Sequence, residues 1–401
     1  MSTKKRIYLD HAATTDVRPE VLNAITDIYK NHFGNPSGFY EEGQEAAKIL
    51  TEARATVAKA INAKPEEIYF TSCGSESDNW ALKGTAYRLK NKGKHIITTK
   101  IEHHAVLHTC QYLEDQGFEL TYLDVDEYGI VQPESLKAAL REDTILVSIM
   151  MANNEIGSLQ PIKELAAICK EKNIRFHSDA VQALGAIPID VEDLEVDMLS
   201  FSAHKLYGPK GIGALYLKKG TRLDSLIHGG GQEMRQRAGT ENLALIAGFA
   251  KACELAVAEM PEESKRQIEL RDYLIKEIKA RIPHAKLNGH PEKRLPNNAN
   301  YSFEFIEGES MLLMLDAKGY ACSTGSACAS SSLNPSHVLL SIGLPHEIAH
   351  GSLRMTIGKD TSKEDLDRFL EDLPQVITTL RNMSPLWGDY QNGRIKKALI
   401  D

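Results

Sequence analysis

The sequence predicts an α/β fold in which a mainly parallel sheet is covered by helices on both faces, followed by a smaller α+β region. Three observations predict it. Short apolar, β-rich runs alternate with longer helical patterns from about residue 68 to residue 217. Strand, helix, strand in repetition is the pattern of a parallel sheet. Beyond Pro261 the texture changes to isolated strands and helices. The 401 residues also exceed what one simple core organises, so two domains are expected.

The elements follow in order. Ile68–Thr71 precedes a helical stretch from Glu76 to Lys90, and His95–Thr99 precedes one from Ala105 to Asp115. Leu120–Leu123 precedes one near Glu134 to Leu140, Thr144–Ile149 precedes Ile162–Glu171, and Ile174–His177 follows. The apolar run Val196–Phe201 then breaks into Ser202, His204 and Lys205 and a set of glycines. From Glu241 to about Lys279 the pattern is helical, with a break expected at Pro261. Asn300–Phe305, a helix from Glu309 to Lys318, a loop of small residues, Ser352–Ile357 and a final helix over Lys363–Leu380 complete the chain. There is no internal repeat, and no low-complexity tract outside residues 323–332.

Composition excludes several classes of function. Forty-seven basic against 55 acidic side chains give a formal charge of -8, against a sequence-independent nucleic-acid binder. No run of 18 apolar residues is present, so no spanning helix is expected. The basic start runs straight into Ile7-Tyr8-Leu9-Asp10 without an apolar signal region, and the expected location is the cytoplasm. The six cysteines, at 73, 110, 169, 253, 322 and 328, show no CxxC pairing, so neither a disulfide framework nor a zinc site is indicated. Asp124-Val-Asp126-Glu-Tyr-Gly129 begins like a calcium loop, but Ser135 stands where the bidentate glutamate belongs, and the stretch reads as a turn.

In open parallel sheets ligands lie beyond the carboxyl ends of the strands, and the unusual residues fall there. Thr71-Ser-Cys-Gly74-Ser75-Glu-Ser77 opens a helix with small hydroxyl residues and a glycine, which suits a phosphate. Glu102-His103-His104, Asn153-Asn154-Glu155, His177-Ser-Asp179-Ala-Val-Gln182 and Ser202-Ala-His204-Lys205 end the next strands. Four of the five have a bland reading alone: a capped helix, two surface histidines, a helix-capping aspartate, a solvated lysine. Together they collect a phosphate cradle, a stackable imidazole, an amide, a carboxylate and a lysine along one sheet edge. That is the set pyridoxal phosphate requires: a lysine for its aldehyde, a carboxylate for its ring nitrogen and a helix N-terminus for its phosphate.

Further motifs extend the match: Tyr8-Leu-Asp-His-Ala-Ala-Thr-Thr15, Asn35-Pro-Ser37, Gly229-Gly-Gly-Gln-Glu233, Arg237-Ala-Gly-Thr-Glu-Asn242, Gly325-Ser-Ala-Cys328 and Gly351-Ser-Leu-Arg354. With them the sequence resembles, over essentially its whole length, the PLP-dependent cysteine desulfurases of the NifS/IscS type within the class V aminotransferase-like family. The resemblance implies PLP-dependent transferase fold type I, with a seven-stranded, mainly parallel sheet. The implied organisation is a segment 1–15 packing with the small domain, a large PLP-binding domain over 16–262 and a small α+β domain over 263–401. It implies Lys205 as the Schiff-base lysine, Asp179 against the pyridinium nitrogen, Gln182 at the ring phenolate, and His103 stacked on the ring and shuttling protons. Gly74, Ser75, Ser202 and His204 would hold the phosphate, helped by Thr240 from the neighbouring subunit of a homodimer. Asn154 and Arg354 would take the substrate carboxylate. Three positions depart from the family pattern: Ser75 in place of threonine, Ala238 in place of serine, and Gly38-Phe39-Tyr40 where a histidine is common.

The stretch Ser323–Ser332 separates the reactions this fold supports. Every side chain in it is threonine-sized or smaller, so a mobile loop is expected, with Cys328 exposed enough to act as a nucleophile. Cys110, Cys169 and Cys253 lie within helical patterns and read as buried packing. The reaction implied is removal of sulfur from L-cysteine to give L-alanine and a Cys328 persulfide. An acceptor such as an Fe–S scaffold or a tRNA-thiolation protein would take it onward. A selenocysteine lyase or cysteine-sulfinate β-eliminase on the same fold is the nearest alternative. An inactive sulfur-scaffold or regulatory subunit is the alternative from another class.

Overall fold

The computed structural model describes residues 5–324 and 335–394. Its elements are β1 (Ile7–Tyr8), α1 (Pro19–Asn31), α2 (Glu41–Lys59), β2 (Ile68–Thr71), α3 (Gly74–Leu89), β3 (His95–Thr99), α4 (His104–Asp115) and β4 (Glu119–Leu123). Next come α5 (Pro133–Ala139), β5 (Thr144–Ser148), α6 (Ile162–Glu171), β6 (Arg175–Asp179), α7 (Val191–Leu194), β7 (Met198–Ser202) and β8 (Gly213–Leu217). After a single turn, α8 (Gln232–Arg235), come α9 (Leu243–Arg281), β9 (Ala285–Leu287), β10 (Asn298–Phe303), α10 (Gly308–Ala317) and β11 (Tyr320–Ala321). The chain ends in α11 (His337–Ser341), α12 (His346–His350), β12 (Ser352–Thr356), α13 (Lys363–Met383) and α14 (Pro385–Gln391).

Seven strands form the central sheet in the order β2-β8-β7-β6-β5-β3-β4. Pairing is parallel throughout except at β8, which runs antiparallel to both β2 and β7. Strand side chains alternate between faces, so one strand feeds two cores. Phe70, Ile97, Val147, Leu199 and Tyr216 join one buried cluster, with residues of α1, α2, α6 and α9. Their neighbours Tyr69, Ile96, Leu146, Met198 and Leu215 pack into another, with residues of α3 and α4. Truncating a fully buried ring such as Phe201 would cost about 3–5 kcal/mol. With both faces covered, what remains for a ligand is the carboxyl edge.

The expected helix break at Pro261 does not occur. α9 runs 39 residues through it. Pro261 is exposed, and the lost backbone hydrogen bond, worth about 3 kcal/mol with its steric cost, is outweighed because each half is pinned in a different core. Leu243, Ile246 and Phe249 pack against the large sheet. Leu274 and Ile278 pack in a separate cluster with Tyr301, Phe303, Leu353 and Phe369. That second core surrounds the antiparallel sheet β12-β10-β9 and also takes in Ile7 of β1, the strand that pairs in parallel with β11, and Leu9 just after it. A further difference is α14, which follows the helix expected to be last. The Asp126–Gly129 stretch is a turn, closed by Asp126 Oδ1 accepting from the backbone N–H groups of Tyr128 and Ile130.

Candidate active site

The carboxyl ends of five strands, β2, β3, β5, β6 and β7, deliver side chains to one cavity of about 300 Å³. The β2–α3 junction brings Gly74 and Ser75, and no side chain caps the first turn of α3, so its N–H groups remain available to an anion. A Cβ on Gly74 would lie 2.8 Å from Val181 Cγ2, so glycine is what lets this turn close on the segment after β6. His103 caps α4, its Nδ1 accepting from the N–H of Ala105 at 3.1 Å. After β5 the turn bearing Asn154 is shaped by Asn153, whose Oδ1 accepts from the N–H groups of Glu155 and Ile156. Asp179 ends β6 and Gln182 follows it, whereas Ser202, His204 and Lys205 come from the end of β7 and the single 3₁₀ turn after it. Arg354 reaches the same cavity from β12.

The structure therefore brings together Gly74, Ser75, His103, Asn154, Asp179, Gln182, Ser202, His204, Lys205 and Arg354 as cavity-lining residues. It does not bring Thr240, which is exposed on the segment before α9 and lines no part of this cavity. Cys328 lies outside the described residues. The chain on either side of its segment touches the cavity wall. Ser323 exchanges backbone hydrogen bonds with Arg354, Ser336 Oγ donates to Glu155, and His337 Nε2 bonds the carbonyl of Glu102 at 2.9 Å.

The electrostatics follow from burial. Desolvation pushes Asp179 up to about 6, against the N–H of Val181 and the charge of Lys205, which favour its anion. Burial and the Lys205 charge bring His103 down to about 4 and His204 likewise to about 4, so both imidazoles are neutral near pH 7. Lys205 Nζ donates to the carbonyls of Ala12 and Ala13 at 2.6 and 2.7 Å. His177, singled out beside Asp179, is a core residue: its ring spans Ser148 Oγ and Ser200 Oγ, and burial holds it near 3. Cys110, Cys169 and Cys253 are buried, and burial raises each thiol.

Sequence reasoning passed over four groups. Asp10 pairs with Arg354, and the backbone of Ala12 also accepts from Gln182 Nε2. Asp10 and Ala12 stand inside the Tyr8–Thr15 motif, so the signal was present without a role. Asp78 is buried against the cavity one turn past Ser75, its Oδ1 lacking a hydrogen-bond partner among the described residues. His337 had no signal beyond its distance from the small-residue loop.

A lysine, a buried carboxylate and an uncapped helix N-terminus at the carboxyl edge of a seven-stranded, mainly parallel sheet define a transferase site of fold type I. The chain belongs to the class-V aminotransferase family, whose profile matches residues 7–369. It is 58% identical over 395 residues to the cysteine desulfurase IscS of Clostridium botulinum, covering 98% of this chain and 100% of that one. It is 57% identical to the cysteine desulfurase IscS of Methanosarcina thermophila, covering 95% and 94% of the two chains. Among solved structures, a NifS-like protein superposes with a TM-score of 0.88 at 41% identity, over 94% of this chain and 100% of that one.

Proposed function

We propose that this cavity binds pyridoxal 5'-phosphate on Lys205 and removes sulfur from L-cysteine, passing it to Cys328. The chain is an enzyme, a cysteine desulfurase. The observation that carries the site reading is the convergence of Lys205 and Asp179 on one cavity whose wall also bonds both flanks of the Cys328 segment.

The residues fit the cofactor. The uncapped turn at Gly74 and Ser75, with Ser202 and His204, would hold its phosphate, and Asp179, buried with one accepted N–H, would hold its ring nitrogen. When bound, the cofactor supplies an electron sink for the bonds at the substrate Cα. Gln182 would contact the phenolate side of the cofactor and His103 would stack on its ring, both side chains lining the same cavity. Because Nδ1 of His103 accepts from Ala105, the neutral ring carries its hydrogen on Nε2 and presents a donor first. Lys205 moves the Cα proton. Asn154 and Arg354 orient the substrate carboxylate, a task suited to a guanidinium fork.

Cys328 attacks as the thiolate. A sulfur–sulfur bond forms, the substrate Cβ–S bond breaks, and Cβ gains a proton, so that L-cysteine and one thiol become L-alanine and one persulfide. The protein works as a cytoplasmic homodimer whose partner contributes Thr240, and the persulfide passes to an acceptor such as an Fe–S scaffold or a tRNA-thiolation protein. The domains divide at residues 1–15, 16–262 and 263–401. A solved structure of SspA in complex with cysteine, 38% identical with a TM-score of 0.78 over 88% of this chain and 98% of that one, supports cysteine as substrate.

Two variants test this reading. Lys205→Ala should lose the borohydride-reducible cofactor adduct. Cys328→Ser should keep the yellow cofactor and its spectral response to cysteine yet form almost no alanine. Full activity of Cys328→Ser on cysteine overturns the persulfide role.

A further inference from the structure

Arg354 is almost entirely buried, with its side chain 3% exposed, and its donors are unevenly engaged. Nη1 donates to the carbonyl of Asn154 at 3.0 Å. Nη2 donates to Asp10 Oδ1 at 2.8 Å. Nε is buried and has no hydrogen-bond partner among the described residues. Nε and Nη2 share one edge of the guanidinium, the edge a carboxylate takes when it binds side-on through two parallel hydrogen bonds. An incoming carboxylate on that edge meets an unengaged donor at Nε and, at Nη2, a nitrogen that already gives one of its two hydrogens to Asp10.

Asp10 is held firmly in this place. Its residue bridges Thr356 in parallel at the end of β12, Leu9 donates to the carbonyl of Ala321, and Tyr8 Oη donates to the Asp10 carbonyl at 3.0 Å. The Asp10 side chain is 17% exposed, so the pair is partly desolvated and its charges are felt strongly. When no substrate is bound, Asp10 balances the Arg354 charge; a monocarboxylate then has to share the guanidinium with an anion already there.

We propose that Asp10 is a positioning residue for substrate binding: it fixes the guanidinium of Arg354 by holding Nη2, directs the substrate carboxylate to the Nε edge, and weakens the grip on that carboxylate. The proposal rests on the reading of Arg354 as the carboxylate-binding residue. In that arrangement Asp10 sets a specificity as well. A net-neutral Arg354–Asp10 pair suits an amino acid with one carboxylate and disfavours one carrying a second anion nearby.

Steady-state kinetics of the cofactor-loaded full chain test this. Asp10→Asn keeps the shape and removes the charge. It should lower KM for L-cysteine and strengthen inhibition by propionate by about three- to tenfold, the scale of one ordinary net hydrogen bond, while kcat falls. Asp10→Glu, which restores the charge, should return KM toward the wild-type value. If Asp10 merely supported Arg354, its loss would raise KM instead. A raised or unchanged KM in Asp10→Asn therefore overturns the inference. Should Asp10→Asn fold poorly, propionate inhibition of Asp10→Ser carries the test, with strengthened inhibition expected and weakened inhibition overturning the inference. Arg354→Gln, measured in parallel, separates the two readings. An unchanged KM there removes Arg354 from the carboxylate site, whereas a strongly raised KM there with a raised KM in Asp10→Asn removes only the role of Asp10.

Discussion

The backbone N–H of Ala105 donates to Nδ1 of His103 across 3.1 Å, and this one hydrogen bond fixes the hydrogen of the neutral imidazole on Nε2. Protonation has to occur at Nδ1, at the expense of the helix cap, and burial together with the Lys205 charge already holds the ring near 4. The apoprotein with ¹⁵N-labelled histidine should show the His103 ring as the Nε2–H tautomer throughout neutral pH, with its titration well below the ordinary 6.5. A ring that titrates near neutrality, or carries its hydrogen on Nδ1, would contradict the capping geometry.

Asp179 offers a charge test. Replacing it with asparagine preserves the acceptor for the N–H of Val181 but removes the anion that would stabilise a protonated ring nitrogen. Asp179→Asn should still form the reducible adduct on Lys205, while alanine formation drops by about a hundredfold or more, in line with the loss of a positioned acid–base partner. Cofactor absorbance and product formation, measured on the same sample, check both halves.

The sheet was legible because its signals are local. Each of β2, β3, β5 and β7 is a short apolar run followed by a loop carrying polar residues, and each strand appears within one or two residues of where its run stands. α1 was equally readable, since Pro19 opens it and Val21, Ile25 and Ile28 repeat at helical spacing, yet it lies outside the strand–helix alternation from which the fold was read. The continuity of α9 was not readable, because Pro261 is a strong local stop signal and the two cores that override it are assembled from residues far apart in the chain. The same division holds in the site. Lys205 and Asp179 stand out at strand ends, whereas the Asp10–Arg354 pair joins positions 344 residues apart and no spacing rule connects them.

Buried carboxyls give the apoprotein a pH signature. Burial raises Glu102 to about 8, Glu155 to about 7 and Asp179 to about 6, all above their unfolded values of about 4. A folded pKa above the unfolded one means that the folded state holds its proton longer. The associated stability is complete below about pH 4 and drains away as pH rises toward 8. The buried histidines, held near 3 to 4, add the opposite slope below about pH 6.5, so the melting temperature of the apoprotein should fall between about pH 7 and pH 8, where they are neutral in both states. Glu102→Gln keeps an acceptor for Thr99 Oγ1 and for the N–H of Met150, removes the largest of the three shifts, and should visibly flatten that slope.

Glu233 anchors the segment that carries Arg237 and Thr240. Glu233 is 3% exposed and accepts from Arg54 through both oxygens, at 2.7 and 3.1 Å, and from the N–H of Phe70 at 3.0 Å. Arg54 in turn donates to the carbonyl of Ile68, so the pair ties α2, β2 and α8 into one polar knot. Glu233 pays for this position in backbone strain, with φ of 42°, and Met234 and Arg235 continue in the left-handed region. Removing only one partner leaves a buried, uncompensated charge, which costs about 3–5 kcal/mol. Glu233→Ala should lower the free energy of denaturant unfolding by that amount. The double variant Arg54→Met with Glu233→Leu, which removes both charges, should recover much of the loss. Equal destabilisation in the single and double variants would mean that packing, and not the stranded guanidinium, sets the penalty.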